Sequence, residues 1–434
     1  MCPRSSSAIA AAAVVFAGAA LAQTNRMHSQ LIIVEPGHFH ATLLQKEMYP
    51  WLDRRVSVYA PLGPELLDYL GRIAAFNARK ESPTSWQLTV HTSDNPMAGM
   101  LRDRPGNIVV FTGKNRQKID RILAALRAGL NVLADKPWII ASADLPKLEE
   151  ALRLAREKKL AAYDIMTERY EITSELQREF VRDRAVFGGP VSVKARSVHN
   201  IMKMVAGAPL RRPAWFFDIQ EYGEGLADVG THVVDLVQWS LFPDQTIDWR
   251  KDVRITGGKR WPLVLTKEQF ARVTGEERGS SLEYFCNNSV EYTLRGVPVS
   301  MEIVWDWEAA PGAGDVYEAS FVGTQARVEI RQGAAQNHVP ELYVVASGKS
   351  AVAAVERRVA ELQLRWPGVK AEGANGELHI AIPGKYRVGH EAHFAQVTNR
   401  FVDYVNAPES MPPWEDAFMM AKYYVSTKGT EAGR

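Results

Sequence analysis

The segment Leu226–Asp235 reads Leu-Ala-Asp-Val-Gly-Thr-His-Val-Val-Asp and sets two carboxylates around one imidazole. On a helix, Asp228 and His232 are four apart and His232 and Asp235 three apart, so the three share a face. A histidine held between carboxylates has its tautomer fixed and its basicity raised, as a general acid–base group requires. Gly223 and Gly225 precede the run, and Val233, Val234, Leu236, Val237 and Trp239 follow it. That apolar company predicts a face turned into a packed cleft rather than a solvated helix surface.

The elements that must position such a cleft can be read from the hydrophobic pattern. Buried strands are expected at 31–34, 56–59, 87–91, 107–111, 131–134 and 160–165, with helices at 41–49, 65–77, 117–128 and 145–158. Gly129 is the natural stop for the third helix. Strands alternating with helices predict a Rossmann-like, doubly wound parallel sheet over 31–165. Such a sheet binds ligands beyond the carboxyl ends of its strands. The segments 37–40, 112–115 and 135–137 should therefore line one crevice.

From about Met166 the pattern changes. A helix at 173–182 leads into Gly188-Gly189-Pro190 and an alternating strand at 191–199. Further strands are expected at 252–256, 281–285, 290–294, 299–305, 319–322, 326–330 and 342–346. Together they predict an α+β domain over 166–390, built on a large, mostly antiparallel open sheet. Residues 391–434 read as closing helices that pack back on both domains.

Bulk properties narrow the function classes. The 434 residues carry 52 Lys plus Arg against 50 Asp plus Glu, so no basic excess points to nucleic acid. The first 22 residues have a basic start, an Ala/Val/Phe run and Ala20-Leu21-Ala22, the pattern of a Sec-type signal peptide cleaved after Ala22. The run is too short to span a bilayer. A periplasmic or secreted protein is expected, and its only remaining cysteine, Cys286, is expected to be a buried thiol.

The strand Val109-Val110-Phe111-Thr112-Gly113-Lys114-Asn115 is followed by a helix and then by Ala128-Gly129-Leu130-Asn131-Val132-Leu133-Ala134-Asp135-Lys136-Pro137. With the later Asp-x-Gly-x-His-x-x-Asp and Gly223-Glu224-Gly225, this resembles the Gfo/Idh/MocA oxidoreductase family over most of the chain. The resemblance implies oxidation of a sugar, glycoside or polyol hydroxyl with NAD or NADP. It casts Lys136 as the group that hydrogen-bonds the reacting hydroxyl, His232 as the proton carrier and Asp228 as its neighbour. Asp235, His199 and Trp215 would contact substrate. Gly37, His38, Phe39, His40, Thr112, Gly113, Asn115, Asp135 and Pro137 would lie along the cofactor. By the same resemblance, the open sheet would pair with a second copy of the chain.

The chain also departs from that pattern. A dinucleotide turn wants Gly-x-Gly-x-x-Gly, yet Glu35-Pro36-Gly37-His38-Phe39-His40-Ala41 keeps one glycine of the three. No acid ends the second strand to take the ribose hydroxyls, where Tyr59-Ala60-Pro61 stands. Lys118 occupies the place of a family histidine. His38 and His40 could bind an anion, hold a divalent metal with Glu35 or His199, or line a vacated pocket. A pair at i, i+2 is more often polar filling, so no metal is expected. The leading expectation is an exported oxidoreductase acting on a carbohydrate. The alternatives are a cofactor-poor lyase, hydratase or isomerase and a non-catalytic carbohydrate-binding protein.

Overall fold

The structure, a computed structural model, describes residues 29–205 and 207–434. The signal peptide expected over residues 1–22 lies outside the described residues.

Six strands form one parallel sheet: β1 (Leu31–Val34), β2 (Arg55–Ala60), β3 (Gln87–Thr92), β4 (Ile108–Phe111), β5 (Asn131–Ala134) and β6 (Ala162–Asp164). Their order is β3-β2-β1-β4-β5-β6. In β1, Leu31 and Ile33 enter one apolar cluster while Ile32 and Val34 enter the other, as a strand covered on both faces requires. Helices Lys118–Arg127 and Leu145–Lys158 cover one face, and Pro64–Ala78 with His390–Asn406 the other. The order reverses between β1 and β4, so a crevice opens beyond the carboxyl ends of these strands and of β5. The helix expected over 41–49 is shorter, His40–Leu44, because the chain turns at Gln45, whose carbonyl accepts the Trp86 indole N–H at 2.7 Å.

The second domain carries β7 (Pro190–Met202) and the small ribbon β8 (Met204–Val205) and β9 (Ala208–Pro209). It continues with β10 (Val253–Leu265), β11 (Leu282–Leu294), β12 (Val297–Glu308), β13 (Val316–Gly323) and β14 (Ala326–Arg331). The last strands are β15 (Glu341–Ala346), β16 (Lys370–Ala374) and β17 (Glu377–Ala381). Nine of these form a sheet in the order β10-β11-β12-β7-β13-β14-β15-β17-β16, antiparallel except between β12 and β7. The two strands expected at 281–285 and 290–294 are one, β11. Asn287 and Asn288 interrupt its apolar pattern, but both are buried and paired. Asn287 Oδ1 accepts the Trp305 N–H at 2.6 Å, and Asn288 Oδ1 accepts the Leu226 N–H at 2.9 Å. The helix Lys349–Leu362 and the pair β16–β17 were not legible in the pattern. No helix among the described residues is long and apolar enough to cross a membrane.

The catalytic-type segment lies close against this sheet. A Cβ on Gly225 would sit 2.0 Å from the Cys286 carbonyl oxygen, so only glycine lets the loop approach β11. The chain then enters the helix Gly230–Leu241, which is buried along its whole length. The final helix, Pro413–Ala432, packs against both this helix and Leu145–Lys158 and so bridges the domains.

A buried ionic cluster fixes that bridge. Arg169 donates to Asp235 at 2.6 and 2.8 Å and to Glu415 at 2.9 Å. Lys422 donates to Asp164 at 2.5 Å and lies 3.7 Å from Asp235. Removing one partner of a buried pair leaves the other charge uncompensated. Asp235→Asn is therefore expected to lower unfolding stability by about 3 kcal/mol or more. A urea titration checks this, and a change below about 1 kcal/mol would show that the cluster does not hold the domains together.

Candidate active site

A cavity of about 410 Å³ lies between the domains. From the parallel-sheet side, His38, Phe39, His40 and Lys136 line it; from the open-sheet side, His199, Arg212, Asp228, His232, Trp305 and Tyr317 do. The two halves meet where the Lys136 ammonium is ion-paired with the Asp228 carboxylate. Both are buried. The Lys136 ammonium is the main influence holding Asp228 below the usual carboxylate range, against the opposing effect of burial. The Lys136–Pro137 peptide is cis.

Asp228 and His232 do not share a helical face as the spacing suggested. The helix starts at Gly230, and Asp228 sits in the preceding turn, where its carbonyl accepts the Thr231 hydroxyl at 2.6 Å. Its carboxylate goes to Lys136 rather than to the imidazole. His232 Nδ1 has no hydrogen-bond partner, and burial, aided by nearby Lys136, pulls its pKa down to about 3. The expected rise in basicity is thus reversed, because desolvation outweighs the carboxylates. Asp235 does not face the cavity; it is turned to Arg169 and Lys422. Trp215 is likewise outside the cavity wall. Its indole N–H donates to Glu65 at 2.5 Å, and its ring covers Gly37, where a Cβ would meet it at 2.9 Å.

The segments assigned to the cofactor divide in two. His38, Phe39 and His40 reach the cavity. The turn behind them is internally bonded: the Gly37 N–H donates to Glu35 O at 2.7 Å and the His38 N–H to Thr112 O at 2.8 Å. Glu35 pairs with Arg121, which removes its charge from the turn. Gly113 is pressed against the Glu35 carbonyl, and Asn115 ties the domains by donating to Tyr222 O at 2.7 Å. Thr112 Oγ1 is buried without a partner. Asp135 takes the Lys118 ammonium and approaches both His38 and His40. Neither Glu35 nor His199 joins the two histidines; His199 faces Asp315 at 3.1 Å.

Several wall residues carried no sequence signal. Arg212 is buried, donates to Ile201 O at 3.0 Å and lies over the Phe216 ring at 4.3 Å. Glu168 faces His390 at 3.2 Å, and Asp315 also accepts the Lys203 ammonium at 2.5 Å. Trp305 and Tyr317 were legible as aromatics of the sheet, with core packing expected ahead of stacking on a sugar ring. The β12–β7 register sets Trp305 beside His199, and β13 brings Tyr317 beside Ser197. The Trp305 indole nitrogen and the Tyr317 hydroxyl are buried without hydrogen-bond partners.

A parallel sheet of this order, with an open sheet facing its crevice and a lysine–carboxylate pair between them, is a two-domain scaffold that takes its ligand beyond the carboxyl ends of the parallel strands. The family model described as "Putative oxidoreductase C terminal domain" matches residues 176–434. The chain belongs to this oxidoreductase family, which is of Gfo/Idh/MocA type. The crystal structure of a "putative oxidoreductase" from Parabacteroides merdae is 40% identical, with a TM-score of 0.89 over 94% of this chain and 97% of that one. Levoglucosan dehydrogenase, solved with NADH and L-sorbose, shares the fold at 13% identity and a TM-score of 0.61, covering 94% and 97% of the two chains. Biliverdin reductase from Synechocystis sp. PCC 6803, solved with biliverdin and NADP+, does so at 12% identity and 0.58, covering 94% and 99%. No curated protein sequence matches the chain.

The depressed His232 pKa makes a stability prediction. The unfolded chain takes up a proton near pH 6.5, which the native imidazole refuses until about pH 3. This contribution is complete above pH 6.5 and is lost as pH falls toward 3. At pH 5 the loss from His232 is about 2 kcal/mol. The urea midpoint should fall from pH 7 to pH 5, and His232→Gln should reduce that fall. Equal falls in the two proteins would show that His232 is accessible to protons in the native state.

Proposed function

We propose that this chain interconverts a hydroxyl and a carbonyl on a sugar, glycoside or polyol, with a nicotinamide dinucleotide as the redox partner. The observation that carries the reading is the Lys136–Asp228 pair in the wall of a cavity of about 410 Å³. That wall also holds Trp305 Nε1, Tyr317 Oη and His232 Nδ1 without partners. Buried polar atoms left unpaired are costly, and a polyhydroxylated ligand would satisfy them. The Trp305 and Tyr317 rings offer apolar faces for its C–H groups. The family and the fold neighbours crystallised with NADH or NADP+ support the dinucleotide.

Lys136 does the proton work. Its ammonium, held by Asp228, donates a hydrogen bond to the substrate oxygen and offsets the negative charge that develops there. The ion pair is the state ready to protonate a carbonyl oxygen; the oxidising direction needs Lys136 to release that proton first. His232, neutral at pH 7, accepts a hydrogen bond from a neighbouring hydroxyl and orients the ring. A bound dinucleotide supplies hydride exchange with the carbinol carbon.

The residues suit that group unevenly. His38 and Phe39 line the cavity and would hold the nicotinamide end of a bound dinucleotide. The place of the pyrophosphate is covered at Gly37, because Trp215 rests on it and the Gly37 and His38 N–H groups are bonded within the protein. Loading therefore requires Trp215 to leave Gly37. The covered turn favours a second reading, acid–base chemistry on a keto-sugar without a nucleotide, by the same lysine and carboxylate. The expected site of action is outside the cytoplasm, as the leader-like first 22 residues suggest.

Denaturing the purified chain and assaying released nicotinamide separates the readings. About one equivalent, or quenching of tryptophan emission on NADH addition that Trp215→Phe diminishes, supports the redox reading. Absence of both, with a keto-sugar consumed, transfers the site to the second. In either case Lys136→Ala should reduce turnover by about 10³-fold, and a rate within about threefold of the parent removes Lys136 from the chemistry.

A further inference from the structure

The sharpest unexplained cluster is His38, His40 and Asp135. Asp135 Oδ2 lies 3.3 Å from His38 Nδ1 and 3.4 Å from His40 Nδ1. Donor atoms of the three residues all fall within 4.8 Å of one another, and all three residues are buried. A charge-assisted N–H···O bond is shorter, about 2.7–2.9 Å. Neither imidazole nitrogen has the geometry of such a bond, and both are left unpartnered. Two imidazoles thus converge on one carboxylate oxygen, each slightly too far away to bond it. Zinc–nitrogen and zinc–oxygen bonds of about 2.0–2.1 Å place the donors of a tetrahedral ion about 3.3–3.4 Å apart. The observed spacings match two edges of that tetrahedron.

We propose that His38, His40 and Asp135 form a binding site for one divalent first-row cation, with zinc the best fit, whose open positions face the cavity beside Lys136. The ligand types agree, since two imidazoles and a carboxylate suit zinc and its neighbours. Asp135 has a supporting partner, as ligating carboxylates usually do. The Lys118 ammonium holds its other oxygen and donates to its carbonyl at 3.1 Å, fixing the carboxylate. Of the nearby cations, Lys136 carries its own carboxylate, Asp228, and Lys118 shares Asp135 with the site. A water, hydroxide or substrate oxygen from the cavity completes the coordination.

The position follows from the sheet order. β1 delivers the two histidines and β5 the aspartate, on either side of β4, at the point where dinucleotide enzymes place phosphate. Such an ion would polarise a substrate oxygen next to the lysine that exchanges its proton. The site does not rest on the proposed redox reading, because it serves a sugar oxygen with or without a nucleotide.

The test is binding of the metal alone. The full chain is stripped with EDTA and titrated calorimetrically with Zn2+, then with Co2+ and Mn2+, without substrate or nucleotide. One equivalent of Zn2+ should bind, and Co2+ should give the visible absorption of a low-coordinate site. His38→Gln and His40→Gln should each weaken Zn2+ binding by at least about 100-fold while circular dichroism shows them folded. Lack of uptake of all three ions overturns the site. So does equal affinity in either folded variant. Both results are readable whether or not the protein releases nicotinamide.

Discussion

The buried ion cluster around Arg169 is the constraint from which the site geometry follows. Asp164 ends the last parallel strand, Asp235 lies in the helix behind the cavity, and Glu415 and Lys422 come from the final helix. Two cations and three carboxylates from four segments lock the open-sheet domain onto the parallel sheet. Only with that docking fixed can Lys136 from one domain reach Asp228 from the other. Asp235 thereby does a different job from the one its spacing suggested. It places His232 by anchoring the helix, and it has no access to a ligand.

The cavity is defined as much by what it leaves unsatisfied as by what it pairs. Apart from Arg212, which meets only backbone carbonyls and aromatic rings, the charged groups named in the wall are compensated: Lys136 by Asp228, Lys203 and His199 by Asp315, His390 by Glu168. The neutral donors and acceptors are not. His232, Trp305 and Tyr317 each present an unpartnered polar atom. Unpartnered neutral donors and acceptors of this kind suit a hydroxyl-rich ligand. At the nucleotide end, the replacement of two fingerprint glycines has a structural counterpart in Trp215 and Glu65 packed over Gly37. The turn is thereby a folded wall at the point where a fingerprint glycine would meet a pyrophosphate.

The strongly periodic elements were legible in the chain. The six parallel strands and their crossover helices appear because a strand buried on both faces needs an unbroken apolar run, and β1, β4 and β5 have one. The open sheet was legible in outline, through alternation at β7, β12 and β14. Its extents were not. Asn287 and Asn288 look like a turn until their partners across the sheet are known. The helix Lys349–Leu362 is masked by small residues that give little contrast between its faces. For the candidate site, Asp228 and His232 were singled out from residue types and spacing, and Lys136, His199 and the His38–His40 turn through the family resemblance. Arg212, Glu168, Asp315 and His390 were not, since each is an ordinary charged residue until the sheet register brings it to the wall.

By itself the sequence determined the local elements, the domain order and a set of candidate side chains for chemistry. Those depend on periodicity, turn residues and motif spacing within a few tens of residues. Tertiary structure alone decided who pairs with whom. It gave Asp228 to a lysine 92 positions earlier and not to the histidine one turn away. It lowered the basicity of His232 where flanking carboxylates suggested the opposite. It also gathered His38, His40 and Asp135 around one point. Charge pairing and desolvation act through space, over contacts between segments far apart in the chain, and no local pattern encodes them.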